Sequence, residues 1–215
     1  MKKLFIMLVS MMAMLTIAPT VSNAQSKQLK KELKKQYKNR LKELKKEGWQ
    51  LFGSTRTLEV ALLTHYDKLN NLGEDGYEVY GFATISDPKH KNVLHQAAQA
   101  SACNTYAREC GSYVKGRIIN DMGLTDEEKS EFDHFYAAYE SVVEKEIKGE
   151  LRESFALIKE IGKNQIDMQV FYIVNEEAAT RARIRAFENA KKESEAAQRY
   201  AQKVIDFIKD DPSKN

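Results

Sequence analysis

Residues 151–175 read LRESFALIKEIGKNQIDMQVFYIVN, and this stretch decides the fold. Apolar and polar side chains alternate through residues 149–159 and again through residues 166–174, which is the pattern of two half-buried β-strands. Gly162 and Lys163 between them predict a two-residue type II′ turn. The pairs that this turn implies are Leu157 with Met168, Phe155 with Val170, and Leu151 with Val174. The sequence therefore predicts an antiparallel hairpin with one apolar face.

The segments around the hairpin complete an α+β pattern. Residues 77–85 (YEVYGFATI) are rich in aromatic and β-branched residues and predict another strand, and residues 49–53 form a short extended segment. The predicted helices begin at four caps, which are Thr57, Asp87 with Pro88, Thr125 and Asn175, and the last helix runs to about Lys209. We predict an α+β fold with a small, mainly antiparallel sheet of three or four strands, packed by long helices.

The first 24 residues have the three parts of a secretory signal peptide. Lys2 and Lys3 form the positive part, residues 4–18 are apolar, and residues 22–24 present small side chains at the cleavage positions. The apolar part is shorter than the roughly 20 residues that a helix needs to span a bilayer. We therefore expect cleavage near Ala24 and Gln25, without a lipid anchor, and a periplasmic or extracellular location.

Residues 25–47 are predicted to form a basic, amphipathic helical arm ahead of a single α+β domain over residues 48–215. Its narrow apolar stripe consists of Leu29, Leu33, Tyr37, Leu41 and Leu44. Its ten basic residues are Lys27, Lys30, Lys31, Lys34, Lys35, Lys38, Arg40, Lys42, Lys45 and Lys46. Residues 25–46, which also contain Glu32 and Glu43, carry +8, and because the whole chain is +3 and the leader +2, everything after Lys46 carries −7.

Two interpretations of the arm are open. In the first, its cations dock on an anionic membrane or another polyanion, without deep insertion because the arm lacks tryptophan. In the second, the apolar stripe packs on the acidic domain, and the lysines are solvated or face the domain's charge. A nucleic acid is not an expected partner, because export removes the protein from the cytoplasm and the sequence contains no basic sheet with interleaved aromatic residues.

Glu153 is the one candidate for chemistry. The predicted register places it opposite Tyr172 on the apolar face of the hairpin, where a carboxylate can serve as a proton donor or acceptor. The alternatives are that this end of the hairpin is a solvated rim, or that Tyr172 simply hydrogen-bonds the carboxylate. Because the sequence places no nucleophile or histidine beside Glu153, a hydrolase-type enzyme is the less favoured interpretation.

The cysteines are predicted to be packing residues. Cys103 and Cys110 are seven residues apart in a helical segment, which separates their Cα atoms by about 10.5 Å. A disulfide reaches only about 7 Å, so none is expected.

No metal site or cofactor is expected either. His90 and His95 are about 140° apart around a helix and do not form a two-ligand face. Arg181, Arg183 and Arg185 are predicted to lie on a solvated helix surface, with Arg183 pointing away from the other two.

A family resemblance adds to this interpretation. The sequence has Tyr80-Gly81-Phe82-Ala83 in a predicted strand, alanines at helical spacing over residues 97–107, and Tyr172-Ile173-Val174 at the end of the hairpin. Over residues 76–182 this combination resembles the twenty-kilodalton bacterial surface lipoprotein family, although the chain lacks a lipidation cysteine and its helix over residues 125–147 lengthens the connection to the hairpin.

The resemblance implies a non-catalytic α+β module of the cell envelope, with no catalytic residues to transfer. Together with the leader, it leads us to expect an exported, non-catalytic envelope protein that binds or scaffolds another envelope component or protein partner.

Overall fold

The computed structural model describes residues 23–87, 89–162 and 164–210 of the chain. The side chains of residues 23–30, 33 and 74 also fall outside the described part. Nearly all of the predicted leader therefore lies outside the described residues, and so do Pro88, from a predicted helix start, and Lys163, from the predicted hairpin turn.

The described residues form seven α-helices and four β-strands. The helices are α1 (Asn23–Lys46), α2 (Leu58–Leu72), α3 (Lys91–Asp121), α4 (Asp126–Ile147), α5 (Glu176–Ala190), α6 (Glu195–Arg199) and α7 (Ala201–Lys209). The strands are β1 (Gln50–Phe52), β2 (Gly76–Ile85), β3 (Arg152–Ile161) and β4 (Gln165–Asn175). Single 3₁₀ turns at Gly73–Asp75 and Lys191–Glu193 link neighbouring elements. The predicted α+β class is confirmed.

The four strands form one sheet in the order β1-β3-β4-β2, and every described pairing is antiparallel. Strand β4 pairs along its length on both sides and is buried at eight of its eleven residues. Such continuous burial differs from the predicted alternation, in which one face of the hairpin is apolar and the other polar. The sheet is therefore covered on both of its faces.

The first face of the sheet is covered by α3, and α4 and α5 join the same core cluster. Met168, Val170 and Tyr172 of β4 are buried there at 1% exposure or less, with the alanines of α3 and the aromatic side chains of α4. Burying a large apolar side chain stabilises the fold by about 1.5–3 kcal/mol, so this face carries most of the core.

The second face packs against α2 and the end of α1. Phe155 and Phe171 stack there with their ring centroids 4.6 Å apart. Leu58 and Leu62 of α2 and Leu44 of α1 complete the cluster. The end of the predicted basic arm is thus joined to the domain through this second, smaller cluster of buried side chains.

The predicted hairpin register is wrong over most of β3. Ile161 pairs with Gln165, so three residues rather than two separate the strands, and Phe155 lies opposite Phe171 instead of Val170. The remaining predicted pairs also differ: Leu157 lies opposite Gln169, and Leu151 precedes the strand. A β-bulge at Ser154 compensates for the longer turn and restores the predicted register at Arg152 and Glu153.

Three of the predicted helix caps are confirmed. They are Thr57, Thr125 and Asn175. In each case the side chain accepts a hydrogen bond from the backbone N–H three residues later. The predicted start of α3 at Asp87 is wrong, because the helix begins at Lys91. The Asp87 carboxylate instead accepts a hydrogen bond from the Lys89 N–H and closes a turn ahead of the helix.

The single long helix predicted after Asn175 is wrong as well. Helix α5 ends at Ala190, and Ser194 caps a new helix by accepting a hydrogen bond from the Ala197 N–H. The break lets α7 fold back and pack against α3 and α5.

Arg183 is not on the solvated surface predicted for it. It is 1% exposed and lies where α5 meets α3 and α7. Its guanidinium donates to the Glu176 carboxylate, to the Tyr106 hydroxyl at 2.7 Å, to the Thr180 hydroxyl at 2.8 Å and to the Ile208 carbonyl at 3.2 Å. A buried charge is tolerated only when it is paired in this way, so Arg183 is a structural residue.

The sheet and α3 approach each other closely at Gly81. A Cβ atom at this position would lie 1.8 Å from the Ala98 carbonyl oxygen and 2.7 Å from the Ala102 nitrogen. The small residues that suggested the family resemblance therefore have a packing role.

Replacing Gly81 with alanine should lower the free energy of unfolding by at least about 2 kcal/mol, because strand and helix must separate. Gly116→Ala on α3 is the matched control, since nothing lies within 4 Å of its added methyl group and alanine favours the helix by about 0.5–1 kcal/mol. Urea unfolding of both variants measures the difference. Equal stabilities for the two variants would contradict the close approach.

Candidate functional site

The basic helix α1 is held on the domain by the described part of its apolar stripe. Leu44 is 4% exposed, and Tyr37 and Leu41 are partly buried against the same cluster of α2 and sheet residues. The side chains of Leu29 and Leu33 lie outside the described residues. The stripe from Tyr37 to Leu44 is therefore engaged in packing, as the second interpretation of the arm expects.

Most of the predicted anion-binding side chains point into solvent. The exposed ones are Lys31, Lys34, Lys35, Lys38, Lys42, Lys45 and Lys46. Arg40 is half-buried, and the side chains of Lys27 and Lys30 lie outside the described part. Lys45 is ion-paired with Glu59, and this hydrogen bond lowers the pKa of the Glu59 carboxyl. Among the described side chains, the other six exposed lysines have no carboxylate within 4.0 Å.

The second candidate region surrounds Glu153, which lies opposite Tyr172 as predicted. Tyr172 is 1% exposed, and its hydroxyl has no hydrogen-bond partner among the described residues. Burial raises the pKa of Tyr172, and the nearby Glu153 raises it further. Tyr172 thus does not hold the Glu153 carboxylate, contrary to one of the alternatives drawn from the sequence.

The carboxylate of Glu153 is instead paired with a histidine. His95 Nε2 on α3 lies 3.0 Å from Glu153 Oε2, with 26% of the His95 side chain and 41% of the Glu153 side chain exposed. Phe52 of β1 lies beside this pair, with its ring centroid 6.1 Å from that of His95. A carboxylate that orients an imidazole is an arrangement able to bind a polar group or to move a proton.

An open groove of about 460 Å³ runs beside this pair. Phe52 and Gly53 form one wall, and Asn92, His95 and Gln96 of α3 form the other. A neighbouring cleft continues past Glu153 to Arg56 and Ser154. The groove thus gathers side chains from the β1–α2 loop, α3 and β3, which are distant in the sequence.

Sequence reasoning missed His95 as the partner of Glu153. The signal available was its spacing, because His95 precedes Ala98 by three residues and Ala102 by seven, and both alanines face the sheet. That spacing places His95 on the sheet-facing side of α3, but it does not reveal which strand residue lies opposite.

No family model, curated protein or solved structure matches this chain. The resemblance to the twenty-kilodalton lipoprotein family therefore stays a prediction based on residues 76–182. In the part of the chain that the structure describes, no helix is long and apolar enough to cross a membrane. Nor do the described residues bring together three histidine, cysteine or acidic side chains that could hold a metal ion.

Cys103 and Cys110 lie in the uninterrupted helix α3, and both are buried free thiols. Burial raises the pKa of Cys103, and it raises the pKa of Cys110 to about 12. Since the reactive form is the thiolate, both groups are protonated and inert near neutral pH.

At pH 8, iodoacetamide should therefore label the folded protein at least about tenfold more slowly than the unfolded protein. Mass spectrometry after unfolding without a reductant should show two modified cysteines. If labelling of the unfolded protein required a reductant, a disulfide would be present and the helical placement of the two cysteines would be wrong.

Proposed function

We propose that this chain is an exported, non-catalytic protein of the bacterial cell envelope that binds or scaffolds another envelope component. The leader pattern of residues 1–24 supports export to the periplasm or beyond the cell. The surface best suited to binding is the basic face of α1, and an anionic lipid surface is the partner whose charge fits it.

The observation that carries this proposal is the row of exposed lysines on a helix whose apolar stripe is already packed from Tyr37 to Leu44. Leu44 fixes the end of α1 on the domain, and the cations point outward from that anchor. Each lysine near an anionic membrane contributes about 1 kcal/mol. Several unpaired lysines together are therefore sufficient for reversible membrane binding.

Packing of the stripe also determines the kind of contact. Inserting Tyr37 and Leu41 into lipid would uncover the cluster that they share with α2 and the sheet. Binding by this part of the arm should thus be electrostatic, and salt should weaken it strongly.

The proposal can be tested by neutralising charges without removing the helix. The variant Lys34→Gln, Lys35→Gln, Lys38→Gln should bind vesicles containing phosphatidylglycerol about 100-fold more weakly than the wild type, because three cations are lost. Vesicle sedimentation at low and high salt measures the affinity, and uncharged phosphatidylcholine vesicles provide the baseline.

The matched control is Lys145→Gln, Lys148→Gln, Lys192→Gln, which removes the same charge from exposed positions of the domain. It should bind nearly as well as the wild type. Equal losses in the two triple variants, or binding that salt does not weaken, would rule out the arm as the docking surface. Efficient competition by soluble polyphosphate would instead indicate a soluble polyanion as the ligand.

Hydrolase-type chemistry at Glu153 is the second candidate function. It is favoured by the 3.0 Å contact between His95 and Glu153, which gives the carboxylate a titratable neighbour. A general acid or base in such a pair contributes roughly 10²–10⁴-fold to a rate. The described groove adds no activated nucleophile, and for this reason we rank the enzyme second.

We expect the wild-type protein to show no turnover above background on nitrophenyl esters, anilides and glycosides. A rate that is present in the wild type and about 100-fold lower in Glu153→Gln would make the enzyme the better proposal. Glu160→Gln, at the far end of β3, is the control for a nonspecific effect of losing a carboxylate.

A further inference from the structure

The groove beside Glu153 arises because β1 leaves the sheet early. Strand β1 pairs with β3 only from Gln50 to Phe52, and Gly53 then turns the chain away with a φ of +68°. Strand β3 continues for four more residues, to Arg152. In the described structure these residues have no partner strand on the β1 side, and their edge forms the floor of the groove.

The walls of the groove carry both hydrogen-bond donors and acceptors. Asn92 and Gln96 present amide groups, each with two donor hydrogens and an acceptor oxygen, on exposed turns of α3. The formal charges of Arg56 and Glu153 cancel each other. The lining is therefore polar but close to neutral, and it suits a neutral ligand with many hydroxyl groups better than a strongly charged one.

An extended peptide is a poor fit to this edge. A peptide that added to β3 would need a regular row of backbone groups, and the bulge between Glu153 and Phe155 interrupts that row. A small free molecule fits poorly too, because small ligands are normally enclosed over most of their surface whereas this groove is open. The geometry favours a segment of a longer chain that lies across the groove and is recognised by side chains.

We propose that this groove binds a neutral, polyhydroxylated polymer, namely a segment of a glycan chain. Asn92, Gln96 and Glu153 make the hydrogen bonds to its hydroxyl groups, and His95 holds the Glu153 carboxylate in position. Glycoside hydrolysis ordinarily uses two carboxylates flanking the bond, and the groove supplies Glu153 alone. The groove is a recognition site, and its function is independent of the basic arm.

The test is a binding titration of the full chain with defined probes. The saccharide probes are the β-1,4-linked tetramer of N-acetylglucosamine and maltotetraose, and tetraglycine is the peptide probe. At least one saccharide should perturb the NMR signals of the His95 ring with a dissociation constant of about 1 mM or lower, a usual value for a shallow site. Tetraglycine should leave these signals unchanged.

Two variants and one control locate the site. Glu153→Gln keeps the side-chain volume, and Gln96→Ala alters an exposed helix position, so both variants should fold. Each should weaken saccharide binding about five- to tenfold, the effect of losing one or two hydrogen bonds. Glu160→Gln, also exposed on β3, should bind like the wild type.

Three results would overturn the proposal. They are the absence of any response to both saccharides, a response to tetraglycine as strong as that to a saccharide, and an equal loss of affinity in Glu160→Gln and Glu153→Gln. Vesicle binding by the arm is measured separately, so neither experiment decides the other.

Discussion

Burial of β4 on both faces is the constraint on which the rest of the structure depends. Val170 and Phe171 are neighbours in sequence, point to opposite sides of the sheet, and are each at most 1% exposed. Two separate layers of helices must therefore cover the sheet, and each buried aromatic or aliphatic side chain contributes about 1.5–3 kcal/mol to holding its layer in place. The larger layer is built from α3, α4 and α5, whereas the smaller one is built from α2 and the end of the basic helix.

The smaller layer gives the arm its orientation. Because Leu44 is part of a core cluster, the end of α1 is a fixed part of the domain, and its lysines point in a set direction. The two interpretations of the arm drawn from the sequence are compatible in this geometry. The apolar stripe packs on the domain, and the same packing leaves the positive face open to an anionic surface.

The bulge at Ser154 changes which face of the sheet the side chains of β3 point to. Upstream of it, Glu153 shares a face of the sheet with Tyr172, and downstream of it, Phe155 and Leu157 point to the opposite face and join the smaller cluster. One extra residue therefore lets a single strand contribute a carboxylate to the groove and apolar side chains to the layer that holds the arm. The same irregularity makes the open edge of β3 a poor template for a peptide strand.

Local patterns in the sequence determined the α+β class, most strand and helix positions, and the caps at Thr57, Thr125 and Asn175. They reflect interactions within a few residues of each other, which the sequence displays directly. Only the tertiary structure decided the hairpin turn, the break at Ser194, the burial of Arg183 and the contact between His95 and Glu153. The last three each involve a partner distant in the chain: Glu131 for the break, Ile208 for Arg183 and Glu153 for His95. Local patterns do not reveal such partners, and tertiary contacts override local propensity.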